Sequence, residues 1–173
     1  MQRYEFAQQH MGTTFRIVLY ASDEAIAATA AEAAFARVEA LNQSFSDYLP
    51  GSEINALASV AGEVGPVWVT DDLWRVLDQS QYWAEQTDGA FDVTIGPAVK
   101  LWRRARRQRE LPSNELLEEA LAKVDHEGLL IDVEQPRVEL KHPGMRLDLG
   151  GIGKGYAAQR ALRALAEHGI TQA

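Results

Sequence analysis

The stretch Leu147-Asp148-Leu149-Gly150-Gly151-Ile152-Gly153-Lys154-Gly155-Tyr156 concentrates residue types that handle phosphate. An apolar run ends at Asp148, and four glycines and a lysine lead into an Ala-rich segment. Glycine lets a backbone approach a ligand without side-chain interference. A helix start offers unpaired N–H groups and the positive end of a dipole. Asp148 adds an acceptor, or a charge near a metal. Together these parts suit a nucleotide diphosphate. A glycine-rich strand-to-helix turn needed only for close packing has the same local pattern. Two common phosphate-loop templates do not fit. A P-loop needs Gly, four residues, then Gly-Lys-Ser/Thr, but Gly155 follows Gly153-Lys154 and position 148 is Asp. The Gly-x-Gly-x-x-Gly fingerprint, started at Gly151, would place its third glycine on Tyr156.

Three further stretches carry chemistry-bearing residues. His10-Met11-Gly12-Thr13-Thr14 lies between two strand-like runs. It reads as a hairpin turn with Met11 as packing, or as a soft apolar surface for a flat ring. Phe45-Ser46-Asp47-Tyr48, followed by Ser52-Glu53-Ile54, reads as a loop and a Ser-capped helix start. Tyr48 on that loop would stack on a ring or hydrogen-bond to it. Asp88-Gly89-Ala90-Phe91-Asp92-Val93-Thr94-Ile95-Gly96-Pro97 reads as a Gly-terminated helix followed by a strand start. Its functional reading uses backbone groups around Ala90 and Phe91 and the Asp92 carboxylate to hold a polar ligand. The basic run Arg103, Arg104, Arg106, Arg107 and Arg109 reads as a solvated face, or as a patch for an acidic partner or lipid head groups. The histidines His10, His126, His142 and His168 lack zinc-type spacing, and none reads as a ligand.

Composition narrows the classes. The 173 residues suffice for one domain with a real core, and the 46% apolar and 24% charged content is that of a globular protein. A net charge of −8 argues against general nucleic-acid affinity. The absence of cysteine removes disulfides, thiolate metal sites and a cysteine nucleophile. No apolar run approaches the roughly 20 residues a spanning helix needs. Met1 to Phe6 does not read as a signal peptide; for an exported protein, that segment would have been removed.

The elements that must position these residues follow from periodicity. Phe15–Tyr20 reads as a strand paired with one near Tyr4–Ala7. Ser22 reads as the N-cap of a helix to about Asn42, with Ile26, Ala30, Ala33, Ala34, Val38 and Leu41 on one face. Ser52 opens a short helix. Gly62 to Thr70 reads as a turn and a short extended run. Thr70-Asp71-Asp72 caps a helix carrying Leu73, Val76, Leu77, Tyr82 and Trp83, ended by Gly89. Pro112-Ser113 starts another, to about Val124. Leu129–Asp132, Arg137–Leu140 and Arg146–Leu149 read as strands. Ile152 to about His168 is the last helix, with Gly169 after it. This order predicts an α+β fold, helices packed on an antiparallel sheet. Ile170 to Ala173 would naturally turn into a further strand.

The four motifs, in this order, resemble the ApbE family of FAD:protein FMN transferases, over the whole chain. The resemblance implies FAD as substrate with Mg²⁺ at its diphosphate, and a threonine or serine hydroxyl of a target flavoprotein as acceptor. The hydroxyl attacks the FMN phosphorus, AMP leaves, and FMN stays attached as a phosphoester; some members instead hydrolyse FAD to FMN and AMP. Met11 and Tyr48 match positions around the flavin. Ala90, Phe91 and Asp92 match the second FAD-contacting stretch, and Asp148 and Lys154 match FAD-contacting positions of the glycine motif. Gly151 matches the position whose backbone carbonyl reaches the magnesium; no catalytic residue is assigned. The resemblance further implies a bacterial periplasmic or cell-envelope setting, with a cytoplasmic one left open by the missing signal segment. Family members continue past residue 173. The chain is therefore expected to be the N-terminal portion of a single flavin-transferase domain, with FAD binding weak unless a C-terminal half or second subunit completes it. A non-catalytic flavin-binding or subunit-interaction module is the rival reading.

Overall fold

Two short antiparallel sheets and six helices build the chain in a computed structural model that describes all residues Met1–Ala173. They fall into two units, Met1–Ser44 with Gly153–Ala173, and Phe45–Ile152. No helix is long and apolar enough to cross a membrane.

The first unit opens with a hairpin, β1 (Gln2–His10) and β2 (Thr13–Ala21), in antiparallel register from Gln2 opposite Ala21 to His10 opposite Thr13. Its two-residue loop puts both Met11 (φ 50) and Gly12 (φ 72) in the left-handed region, the turn geometry that matches strand twist. Helix α1 (Glu24–Phe45) follows. Its cap is Asp23, not the expected Ser22: the Asp23 carboxylate accepts the Ile26 N–H at 3.0 Å, and Ser22 donates to Asp23. The buried stripe is Ala27, Ala30, Ala31, Ala34, Phe35, Val38 and Leu41. Ile26, expected inward, is exposed and Ala33 is half-buried, whereas Ala30, Ala34, Val38 and Leu41 are buried as expected; Ala27, Ala31 and Phe35 complete the face. Helix α6 (Gly153–Glu167) buries Ala157, Ala161 and Leu165. It ends as its sequence predicts, with Gly169 at φ 77 and the Ile170 N–H reaching back to the Leu165 carbonyl at 3.0 Å. The chain then runs beside β2, where Tyr20 N–H donates to the Gln172 carbonyl at 3.0 Å. That single bond falls short of the anticipated strand.

The second unit holds α2 (Glu53–Ser59), β3 (Val67–Trp68), α3 (Asp71–Gln86), α4 (Gly96–Gln108), α5 (Asn114–Leu121), β4 (Leu129–Ile131) and β5 (Arg137–Leu140). Its antiparallel sheet runs β3-β5-β4. Ser52, Thr70 and Ser113 cap α2, α3 and α5 through side-chain oxygens, as their sequences predict. Leu73, Val76, Leu77, Ser80 and Ala84 form the buried stripe of α3, so Tyr82 and Trp83 stand outside it.

Two strand expectations are corrected. Residues 146–149 form no strand of a ladder. Met145, Leu147 and Leu149 are buried and alternate with half-buried Arg146 and Asp148, so the period of two is real. The partner segment allows only a parallel bridge between Ile95 and Arg146 and a 2.8 Å bond from Asp148 N–H to the Val93 carbonyl. It can pair no further because α4 starts at Gly96, with Pro97 in its first turn. The strand start expected near Val93 shrinks to that bridge for the same reason. The arginine run, assigned to no element from the sequence, lies on a helix: α4 carries Arg103, Arg104, Arg106 and Arg107, and Arg109 ends it at φ 56.

Candidate functional site

Helix α3 ends in a turn that uses its own groups. Thr87 follows the last helical residue, and Asp88 (φ 52) and Gly89 (φ 75) reverse the chain. Ala90 N–H donates to the Thr87 carbonyl at 3.1 Å, and Phe91 N–H to the Thr87 hydroxyl at 3.0 Å. The Ala90 and Phe91 N–H groups, part of the backbone that the sequence offers to a ligand, are engaged in this turn. What the stretch presents is the Phe91 ring. Asp92 then folds back: its Oδ1 accepts both the Thr94 N–H and the Thr94 hydroxyl at 2.7 Å. Fully buried Thr94 in turn accepts the Asp125 N–H at 2.9 Å.

The glycine motif meets Phe91. A side chain at Gly151 would stand 3.0 Å from Phe91 Cε2, so only glycine lets the backbone reach the ring without displacing it. Trp83, Thr87, Phe91, Gly151 and Ile152 line an open, mostly apolar cleft of about 330 Å³. Two aromatic rings beside a bare backbone turn suit a flat heterocycle with polar edges.

Tyr48 is held by a second network. The Asn55 amide donates to the carbonyls of Ser46, Asp47 and Leu49 at 3.4, 3.2 and 2.9 Å, and Asn55 Oδ1 accepts from Arg146 at 2.9 Å. This fixes the loop that carries Tyr48. Arg103 from α4 then joins the loop to the glycine motif. Its guanidinium bonds Asp47, bonds Asp148 Oδ2 at 2.7 Å, and lies 4.4 Å from the Tyr48 ring centroid. The other oxygen of Asp148 accepts the Gly150 N–H at 2.8 Å. Asp148 thus anchors both Arg103 and the turn at 150–151.

Tyr48, Ala90, Phe91, Asp92, Asp148 and Gly151 belong to the second unit, Met11 and Lys154 to the first. Within the second unit, Phe91 meets Gly151 and Tyr48 connects to Asp148 through Arg103. Met11 occupies the hairpin turn, and Lys154 is exposed in the first turn of α6. Sequence reasoning missed Arg103, Asn55, Arg146, Trp83 and Thr87 as parts of these networks. Arg103 was concealed in the basic run, where no local signal set it apart from its neighbours. No three His, Cys, Asp or Glu side chains converge to hold a metal ion. A cation at the 150–151 turn would draw its oxygens from backbone, ligand and water.

The chain is 31% identical over its whole length to the FAD:protein FMN transferase of Treponema pallidum and 30% identical over 98% of its length to one from Klebsiella pneumoniae. It covers 49% and 52% of these proteins, and so spans about half the length of the curated relatives it matches. Among solved structures, the ApbE protein of Thermotoga maritima superposes with a TM-score of 0.85 at 32% identity, covering 96% of this chain and 53% of that one. The flavin transferase ApbE from Vibrio cholerae gives 0.87 at 25% identity, over 98% and 55%. Residues 11–173 match the model of the ApbE family, and the chain belongs to that family.

Proposed function

We propose that this chain takes part in moving FMN from FAD to a hydroxyl of a target flavoprotein. The observation that carries the reading is the convergence of Phe91 and Gly151 on one apolar cleft beside the Asp148-anchored turn. The names of the relatives point the same way. In the reaction the acceptor oxygen bonds to the FMN phosphorus, the phosphoanhydride bond to AMP breaks, and the acceptor gives up its proton. The cleft aromatics bind a flat portion of FAD, and the glycine turn admits the backbone close to it. Magnesium, when bound, would neutralise diphosphate charge. We assign it the Gly151 carbonyl as its protein ligand, with phosphate and water supplying the rest. Because Mg²⁺ gives up its waters reluctantly, calorimetry with MgCl₂ alone should show little heat. A periplasmic or envelope setting belongs to the same proposal and rests on the family resemblance.

The test is incubation of the chain with FAD, Mg²⁺ and a threonine-bearing acceptor protein. In-gel flavin fluorescence and intact mass follow the acceptor, and AMP is measured in parallel. FMN on the acceptor with matching AMP supports transfer. AMP and free FMN without acceptor labelling would replace transfer by hydrolysis. Neither product, with no FAD binding, would overturn the reading.

A further inference from the structure

Arg103 occupies a place that the proposed reaction does not by itself explain. It stands among arginines that face solvent, yet its side chain is only 29% exposed, and its guanidinium is divided between Asp47 and Asp148. The Asp148 side chain is 11% exposed. The same guanidinium covers Tyr48 at 4.4 Å from the ring centroid, while Tyr48 as a residue remains 70% exposed. One region of the tyrosine is therefore backed by a clamped cation, and the rest of the ring meets solvent. One arginine between two carboxylates leaves the trio with a formal charge of −1. A phosphate would gain nothing there, whereas a planar ring with hydrogen-bonding edges would.

Resting on the proposed function, we propose that Arg103 is the positioning residue of the flavin site. It locks the Tyr48 ring and the Asp148 carboxylate into one rigid unit, so that Tyr48 offers a pre-oriented platform for the isoalloxazine ring. The geometry requires arginine. Its planar fork reaches two carboxylates while its face lies on the tyrosine, and a lysine ammonium is a point charge that cannot do all three. Holding the platform in place before binding avoids the ordering cost of a mobile exposed tyrosine.

The experiment holds FAD at low concentration and titrates the chain, reading flavin anisotropy and the quenching of isoalloxazine fluorescence. Arg103→Ala and Arg103→Lys are compared with Arg107→Ala, an exposed arginine of the same helix. Thermal melting identifies the folded variants, and Arg103→Lys retains the charge if Arg103→Ala folds poorly. Both Arg103 variants should bind about ten-fold more weakly and quench less at saturation, while Arg107→Ala matches the parent. Because Arg103 acts through Tyr48, adding Arg103→Lys to Tyr48→Ala should cost little more than Tyr48→Ala alone. A folded Arg103→Lys with parental affinity and quenching would overturn the inference and leave the proposed function standing. So would additive losses in the double variant. If the parent fails to bind FAD, the proposed function fails first and this inference with it.

Discussion

Phe91 Cε2 lies 3.0 Å from where a Gly151 side chain would begin, so a backbone turn and an aromatic ring from distant parts of the sequence share one wall of a cleft. Gly151 is exposed and is not among the residues with positive φ. Gly151→Ala should therefore fold without backbone strain, with a change of stability within about 1 kcal/mol of zero. The methyl must push the Phe91 ring into the cleft or turn it aside. FAD binding should weaken several-fold while the melting temperature hardly moves. Unchanged binding by flavin anisotropy would show that the Phe91–Gly151 contact has no part in the site.

Asn55 is a stability prediction for the loop that carries Tyr48. Its amide serves three carbonyls and its oxygen accepts from Arg146. Asn55→Ala leaves these groups without partners and should cost roughly 1–3 kcal/mol in urea denaturation. Asn55→Asp keeps the size and strengthens the bond to Arg146, but turns an acceptor toward three acceptors. It should be no better than alanine. If the aspartate variant is as stable as the parent, the amide bonds to the loop do not hold it.

The parts of the fold that were legible in the sequence are those with local physical causes. Ser52, Thr70 and Ser113 announced three helix starts because a cap is a short-range hydrogen bond. Gly169 announced a helix end, and short apolar runs gave the paired hairpin strands and the strands β4 and β5, though not the pairing of the last two. Helix α4 was not legible. Its buried positions are the small Gly96, Ala98 and Ala105, and its charge pattern hid the helical period. Residues 146–149 carried a true alternation, but whether a strand has a ladder depends on a partner that sequence alone does not locate. The site was legible in its motifs and not in its joints. Phe91 and Gly151 were both marked, and nothing local said that they would touch. Arg103 and Asn55 act across up to 56 and up to 91 residues of sequence, distances at which periodicity carries no information.

Glu39 on α1 sets an acid-dependent contribution in the first unit. Bonds from the Gln43 amide, then His10 at 2.9 Å, then Asn42 hold its carboxyl below its ordinary value of 4.5. A depressed folded value means that the contribution is present above pH 4.5 and is lost as pH falls through the lowered value. The Glu39 side chain is 43% exposed, so solvent screening keeps the effect below about 1 kcal/mol. Glu39→Gln should be slightly less stable than the parent at neutral pH, with the gap closing below that window. Urea denaturation at neutral pH and near pH 3 measures both. A gap that stays constant would mean that the carboxylate's charge contributes nothing.

Lys154 separates a binding role from a folding role. It is exposed in the first turn of α6, where a cation opposes the helix dipole and adds little to stability. It follows the glycine run, so under the proposed function its ammonium faces phosphate instead of a core. Lys154→Ala should melt near the parent temperature or slightly above it. It should lose roughly 1.5–3 kcal/mol of FAD binding, the range for a charge-assisted hydrogen bond. Lys154→Arg keeps the charge and should recover part of that loss. The two measurements are thermal melting and FMN transfer to an acceptor. If Lys154→Ala melts far below the parent while its folded fraction transfers FMN normally, the lysine serves the fold and the phosphate-facing role is wrong.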